Sequence, residues 1–187
     1  AFAAADGKRL WTYDTEDGIQ GSANRIELAG GRAGVVVIAQ STGVLHAVDL
    51  ESGKGAWKSA AQDRADGSPG VGAGSIVMGS CASALHVFSA EKGGKTSDVP
   101  LGGDCQVAGG VAINGGIAYA GSRTGKFFAV DLAAQKILWT NTDTRKESFT
   151  TPAVAAKVVL FGSDDGRLYA LDRTTGKQLW NVDTKGA

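Results

Sequence analysis

The chain has 187 residues, and its 19 Lys plus Arg balance 19 Asp plus Glu, so the formal net charge is zero. That length supports one domain with a buried core, while the even charge without basic runs argues against a nucleic-acid or lipid-headgroup surface. The longest apolar run falls far short of the ~18 residues of a membrane helix, and 28 glycines, about twice the usual share of ~7%, predict many tight turns between short strands.

In chain order, residues 1–20 read as half a unit, two strands around "AAADGK" leading to Trp11. The chain thus opens in mid-phrase, and its start is expected to be a cut or processed end. Four full units follow, at about 22–62, 66–101, 104–143 and 147–184. Each carries an apolar run closed by a small turn: "GVVVIAQSTG", "GSIVMGSCAS", "GIAYAGSRTG" and "KVVLFGSDDG". A second phrase follows each run: "GVLHAVDLESGKGAW", "SALHVFSAEKGGKTSD", "GKFFAVDLAAQKILW" and "GRLYALDRTTGKQLW". In the last unit the strands are "TTPAV", "KVVLFGS", "RLYALD" and "KQLWNVD", separated by "AA", "DDG" and "RTTG". Period-two alternation and Gly/Asp/Asn punctuation favour strand throughout, and no capped amphipathic stretch predicts a helix.

The spacing is regular. Trp139 and Trp180 are 41 residues apart, and Trp57 precedes Trp139 by 82, two such steps. The missing step lands on residue 98, so Asp98 is expected in a tryptophan slot, with one glycine gained before it. A four-stranded unit of this length is the size of a propeller blade. One sheet cannot bury both faces alone, so successive units must stack. The expected fold is an all-β propeller of four-stranded antiparallel blades, four full repeats plus a half repeat.

The repeated phrase resembles the tryptophan-docking motif of the pyrroloquinoline-quinone-type propeller repeat, Ala-x-Asp-x-x-x-Gly-Lys-x-x-Trp. It is matched by Ala47, Asp49, Gly53, Lys54 and Trp57, and by Ala170, Asp172, Gly176, Lys177 and Trp180. The third copy has Ala129, Asp131, Lys136 and Trp139 with Gln135 in the glycine slot; the opening one has Ala1, Gly7, Lys8 and Trp11 with Ala3 for the aspartate. The aspartates suit turn capping and the glycines suit positive φ. The resemblance implies that Trp11, Trp57, Trp139 and Trp180 wedge between neighbouring blades.

Two kinds of protein share this repeat. Quinone-dependent alcohol and glucose dehydrogenases hold pyrroloquinoline quinone between a vicinal disulfide and a tryptophan plane, with calcium and a catalytic aspartate. The outer-membrane β-barrel assembly propeller is a docking platform without a cofactor. Here Cys81 and Cys105 are the only cysteines and the docking motif accounts for all four tryptophans, so the second kind is the closer resemblance. It implies a non-enzymatic, exported scaffold, periplasmic or outer-membrane associated, that binds protein partners. The rivals are a fragment of a quinone dehydrogenase and a ligand-sensing cell-surface propeller.

No catalytic, cofactor or metal residues are assigned. His46 and His86 share a slot with Phe128 and Tyr169, which reads as a packing position rather than a metal site. "GSDDG" and "DRADG" lack the alternating oxygens of a calcium loop, and no Ser/His/Asp set is recognisable. Cys81, in a strand-two to strand-three turn, and Cys105, in the next connection, fall at one end of a propeller. They are expected to form a disulfide that staples the seam lacking a tryptophan, the alternative being two free thiols. Loop residues at that end, Arg123, Arg145, Lys146, Asp164 and Asp165, are the candidate interaction residues, the alternative being plain solvated surface. The half unit points to an arc of a larger ring within a longer parent chain, the alternatives being closure by a second copy and, last, a closed monomer of four blades plus a lone hairpin.

Overall fold

The structure is a computed structural model and describes residues 1–144 and 146–185. Its strands form four sheets, each of four antiparallel strands joined in simple chain order. The first sheet holds β1 (Asn24–Leu28), β2 (Arg32–Ala39), β3 (Val44–Asp49) and β4 (Gly55–Lys58). The second holds β5 (Gly70–Gly72), β6 (Ser75–Gly79), β7 (Ala84–Ser89) and β8 (Lys95–Pro100). The third holds β9 (Ala112–Asn114), β10 (Ile117–Gly121), β11 (Phe127–Asp131) and β12 (Lys136–Asn141). The fourth holds β13 (Ala153–Val154), β14 (Val158–Ser163), β15 (Arg167–Asp172) and β16 (Gln178–Asp183). Strands β1, β5, β9 and β13 neighbour one another in turn and form the inner edge. The protein is an all-β propeller of four-stranded blades.

The opening half unit is looser than two regular strands. It is a hairpin with one bridge, Phe2 to Arg9, closed by Gly7 N–H to Ala3 O at 2.9 Å.

Alternation along the third strand of each sheet explains the stacking. On β3, Leu45 and Ala47 enter an apolar cluster with Ile76, Met78 and Phe88 of the second sheet. On β7, Leu85 and Val87 face the other way, into a cluster with Ala118, Ala120, Phe128 and Val130 of the third. The third and fourth sheets meet through a stack in which Phe127 lies 3.9 Å from Phe161 between ring centroids, with Trp139 and Tyr169 on either side. Each such buried side chain contributes about 1.5–3 kcal/mol.

At the outer rim, tryptophans meet glycine turns of the following sheet. The Trp11 ring lies against Gly53, Trp57 against Gly93 and Trp139 against Gly176. These glycines have φ near +70° and lie so near the rings that a Cβ would overlap them. Trp11 Nε1 donates to Leu50 O at 2.9 Å and Trp139 Nε1 to Arg173 O at 3.1 Å. Trp57 Nε1 is buried without a partner. The turns are capped by their aspartates: Asp172 Oδ1 accepts from Thr174 N and Thr175 N, and Asp131 Oδ1 from Ala134 N.

Strand register corrects the expectation for Asp98. Ala47 pairs with Trp57, Ala129 with Trp139 and Ala170 with Trp180, and in each sheet the register then shifts by a bulge. In the second sheet Val87 pairs with Ser97, and His86 with Asp98. The docking slot is therefore held by Ser97, and no glycine is gained. A fixed 41-residue step missed the slot by one, which on a strand moves the side chain to the opposite face. The following sheet carries Gln135 at φ 53° in the glycine slot. Indole and glycine are thus lost together, from the two sides of one seam.

The unpartnered Trp57 N–H and the bonded Trp139 N–H give a direct comparison. Trp57→Phe removes an orphaned donor, whereas Trp139→Phe leaves Arg173 O without its bond. Trp139→Phe is expected to cost about 1 kcal/mol more in urea unfolding; equal costs would show that the indole bonds contribute nothing.

Candidate functional site

The turns between second and third strands gather at one end of the propeller with the connections between sheets. Each turn is hooked to the preceding connection through one equivalent backbone N–H. Cys81 N donates to Arg64 O at 3.0 Å, Arg123 N to Gln106 O at 2.9 Å and Asp164 N to Glu147 O at 2.9 Å. In the first sheet Ser41 N uses a side chain instead, Asp17 Oδ2 at 2.8 Å.

Around these hooks lies a charged cluster. Asp66 accepts from Gln40 Nε2 at 2.6 Å and Arg64 Nε at 2.9 Å, and its second oxygen is 3.3 Å from an Arg123 nitrogen. Burial alone would raise the Asp66 carboxyl, but the Gln40 and Arg64 hydrogen bonds, with the charges of Arg64 and Arg123, hold it below its ordinary value. The Arg123 guanidinium also stands 5.0 Å over the ring of Phe149, which is 40% exposed. Beside it opens a cleft of about 460 Å³ lined by Arg123, Thr124, Lys146, Glu147 and Asp164.

The structure therefore brings Arg123, Lys146 and Asp164 to one cleft. Asp165 turns inward, accepting from the Tyr169 hydroxyl and from Arg167 N. Arg145 lies outside the described residues. Phe149 and Asp66 were not among the candidate interaction residues, Asp66 having been weighed only within the calcium-like "DRADG"; an aromatic in a polar connection, "KESFTT", was the available signal for Phe149.

The expected Cys81–Cys105 disulfide is not formed, and both thiols are free. Cys81 is held against Arg64 on the connection before its sheet. Cys105 is buried with its Sγ 3.5 Å from Thr124 Oγ1 on the turn of the third sheet. The same connection bonds back to the second sheet through Val107 N to Ser80 O at 3.1 Å.

A polar set that the sequence reading did not recognise lies in the second sheet. Ser80 Oγ is 2.7 Å from His86 Nε2, and His86 Nδ1 is 2.6 Å from Asp98 Oδ1. Lys95 Nζ stands 2.6 Å from the other Asp98 oxygen and donates to Gln62 at 2.8 Å. The order resembles a nucleophilic triad, but Ser80 is only 1% exposed and its Oγ also accepts Ala82 N–H. The set latches three strands. Burial would raise the Asp98 carboxyl; the Lys95 and His86 hydrogen bonds and charges outweigh it and hold it below its ordinary value.

His46, in the equivalent slot of the first sheet, meets Tyr13 OH at 3.2 Å through Nδ1. Burial, reinforced by Lys58, lowers its pKa against the opposing pull of Glu16 and Asp17. Phe128 and Tyr169 are buried in the same slot of the other two sheets.

Three tryptophans lie against glycine turns, Trp180 lies on the outer strand of the fourth sheet, and the two cysteines lie in separate loops. Among the described residues no helix is long and apolar enough to cross a membrane.

The family profile described as "Outer membrane protein assembly factor BamB" matches residues 1–96 and 82–187, in two overlapping passes. A curated relative, the outer membrane protein assembly factor BamB of Shewanella oneidensis, is 29% identical over 162 residues. That match takes in 79% of this chain and 40% of the relative, so the chain spans about two fifths of the relative's length. Among solved structures, BamB from Moraxella catarrhalis aligns with TM-score 0.63 at 21% identity, over 94% of this chain and 68% of that one. A chain of a mitotic checkpoint complex aligns with TM-score 0.80 at 17% identity, over 99% and 57% of the two chains. These structural likenesses concern the fold alone.

The shifts at His46 and Asp98 set the expected pH response. Both groups have folded values below their ordinary ones, so each contributes stability present above the ordinary value and lost as pH falls through the folded one. His46 acts below about pH 6.5 and Asp98 below about pH 4. His46→Phe is expected to flatten the fall in urea midpoint between about pH 7 and 5, and Asp98→Asn the fall below about pH 4. Unchanged slopes would refute these assignments.

Proposed function

We propose a function from one premise: this chain belongs to the BamB family of outer membrane protein assembly factors. It acts as an exported, non-enzymatic scaffold that docks protein components of outer-membrane protein assembly. Docking occurs through the loop end that carries Arg123, Lys146, Asp164 and Phe149. The observation that carries this reading is the Arg123–Phe149 pair. A guanidinium fixed by Asp66 and stacked on a half-exposed ring is preorganised, and Arg and aromatic residues dominate interface hot spots. The cleft beside it offers charges of both signs, which favours a protein partner over a polyanion.

The test measures binding of the purified chain to soluble portions of the outer-membrane assembly proteins of its own organism. Phe149→Ala and Lys146→Glu are each expected to weaken binding at least about tenfold, or ~1.4 kcal/mol, without moving the unfolding midpoint. Lys92→Glu, at the opposite end, is expected to leave binding unchanged. Binding that ignores the loop-end variants would remove this face from the reading.

The same reading holds that no quinone takes part. Titration with pyrroloquinoline quinone and calcium should leave the cofactor absorbance unchanged and dye-linked alcohol oxidation at background. Turnover in that assay would replace the scaffold reading with a dehydrogenase.

A further inference from the structure

We propose that the glycine-turn end of the third and fourth sheets rests on an anionic lipid surface, through Lys136, Lys157, Arg173 and Lys177 and the rim leucines Leu138 and Leu179. The first argument is where free charge collects. Lys136 opens β12, Lys157 immediately precedes β14, and Arg173 and Lys177 flank the turn between β15 and β16. All four belong to the same end of the fold, and the three lysines are exposed. No basic run marks them in the sequence, because only the fold brings their turns together. Arg173 spans the seam, its Nε donating to Tyr119 OH at 3.1 Å and a terminal nitrogen to Ala155 O at 3.3 Å. The carboxylates of these turns are Asp131 and Asp172, and both are spent on capping: Asp131 Oδ1 accepts from Ala134 N at 2.8 Å, and Asp172 Oδ1 from Thr175 N at 2.8 Å. At the same end of the first and second sheets, the exposed Glu27, Glu51 and Glu91 stand among the cations instead. The positive excess is therefore confined to the third and fourth sheets.

The second argument is the residue left over at each bulge. On β12, Trp139 pairs with Ala129 and Ile137 with Val130, so Leu138 has no partner across the ladder. On β16 the same shift leaves out Leu179. A bulged residue is free of the pleat and is re-aimed at the rim. Leu138 is 44% exposed although its sheet has a neighbour on either side, so this exposure belongs to the bulge; Leu179 is 51% exposed. The first and second sheets leave out Ala56 and Thr96 at these positions. Exposed leucines thus occur on the two sheets that carry the free cations, each two residues after a lysine.

That coincidence selects the occupant. A soluble acidic polymer would satisfy the cations and leave both leucines in water. An anionic bilayer surface takes both kinds of group: lysine and arginine stay among the headgroup phosphates while apolar side chains enter the acyl boundary. The neutral charge of the whole chain is no obstacle, because charges beyond about 10 Å are screened at ~0.1 M salt. This surface lies at the end away from Arg123 and Phe149. Both ends can be engaged at once, and neither assignment draws on the other.

The test is flotation of the purified chain with vesicles of phosphatidylcholine alone or with about 30% phosphatidylglycerol. At about 0.05 M salt, recovery on the anionic vesicles is expected to exceed that on neutral ones at least about tenfold, and to fall toward the neutral level at about 0.5 M. Lys136→Glu combined with Lys177→Glu should remove most of that preference. Leu138→Ser should lower recovery on the anionic vesicles at least about threefold. Urea midpoints should stay unchanged in both variants, since all three side chains are exposed. Lys92→Glu, at the same end of the second sheet, should leave recovery as it was. No preference for anionic vesicles, a preference that survives the paired lysine change, or an equal loss with Lys92→Glu would overturn the proposal. Indifference to Leu138→Ser would overturn it too, and would mark a site for an acidic polymer instead.

Discussion

Neighbouring sheets approach so closely at their inner edge that the chain has no room there for a side chain. Gly21, Gly67 and Gly109 each face the backbone of the next sheet at a distance that excludes a Cβ. The outer rim is held apart by indoles resting on glycine turns. Contact on the inside and a wedge on the outside set the angle between sheets, and a fan of blades follows. Apolar clusters fill the space between, but they are tolerant in detail: the second seam is mostly aliphatic and the third mostly aromatic. The glycines are not tolerant in that way, because a methyl group would collide with backbone, which cannot move aside without opening the seam.

Much of this was legible in the chain. The rhythm of tryptophans announced repeated sheets, and the last unit's "KVVLFGS" and "RLYALD" coincide with β14 and β15 to within a residue. The slip at Asp98 has a plain cause, since counting by a constant step ignores that connections differ in length while strand pairing does not. The spacing inside the motif, eight residues from Ser89 to Ser97 as from Asp49 to Trp57, held the correct answer. The Ser80–His86–Asp98 latch was invisible for another reason: its members come from the end of one strand and the middles of two others. The same holds for Asp66, which gathers partners from the first sheet, its own connection and the third sheet. Such meetings are decided by packing and leave no local pattern. The cysteines failed differently: their loops meet, Val107 N bonding Ser80 O, but the Cys105 thiol faces Thr124, and sharing a loop cluster does not aim two side chains at each other.

The two ends of the fold have separate duties. The end with the glycine turns is committed to geometry, and its residues have little freedom to vary. The opposite end hooks its turns through the backbone N–H of Cys81, Arg123 and Asp164, so these hooks fix no side-chain identity there. Arg123 shows the result: its main chain serves the hook while its guanidinium spans to Asp66 and stacks on Phe149. Side chains can change on this end without disturbing the stack.

Since each indole points toward the following sheet and never the preceding one, the stack has a sense of direction, like an arrow repeated along a row. A seam therefore has two unlike sides, a ring and a turn, and reversing one sheet within the row would set indole against indole and leave the glycine turns uncovered.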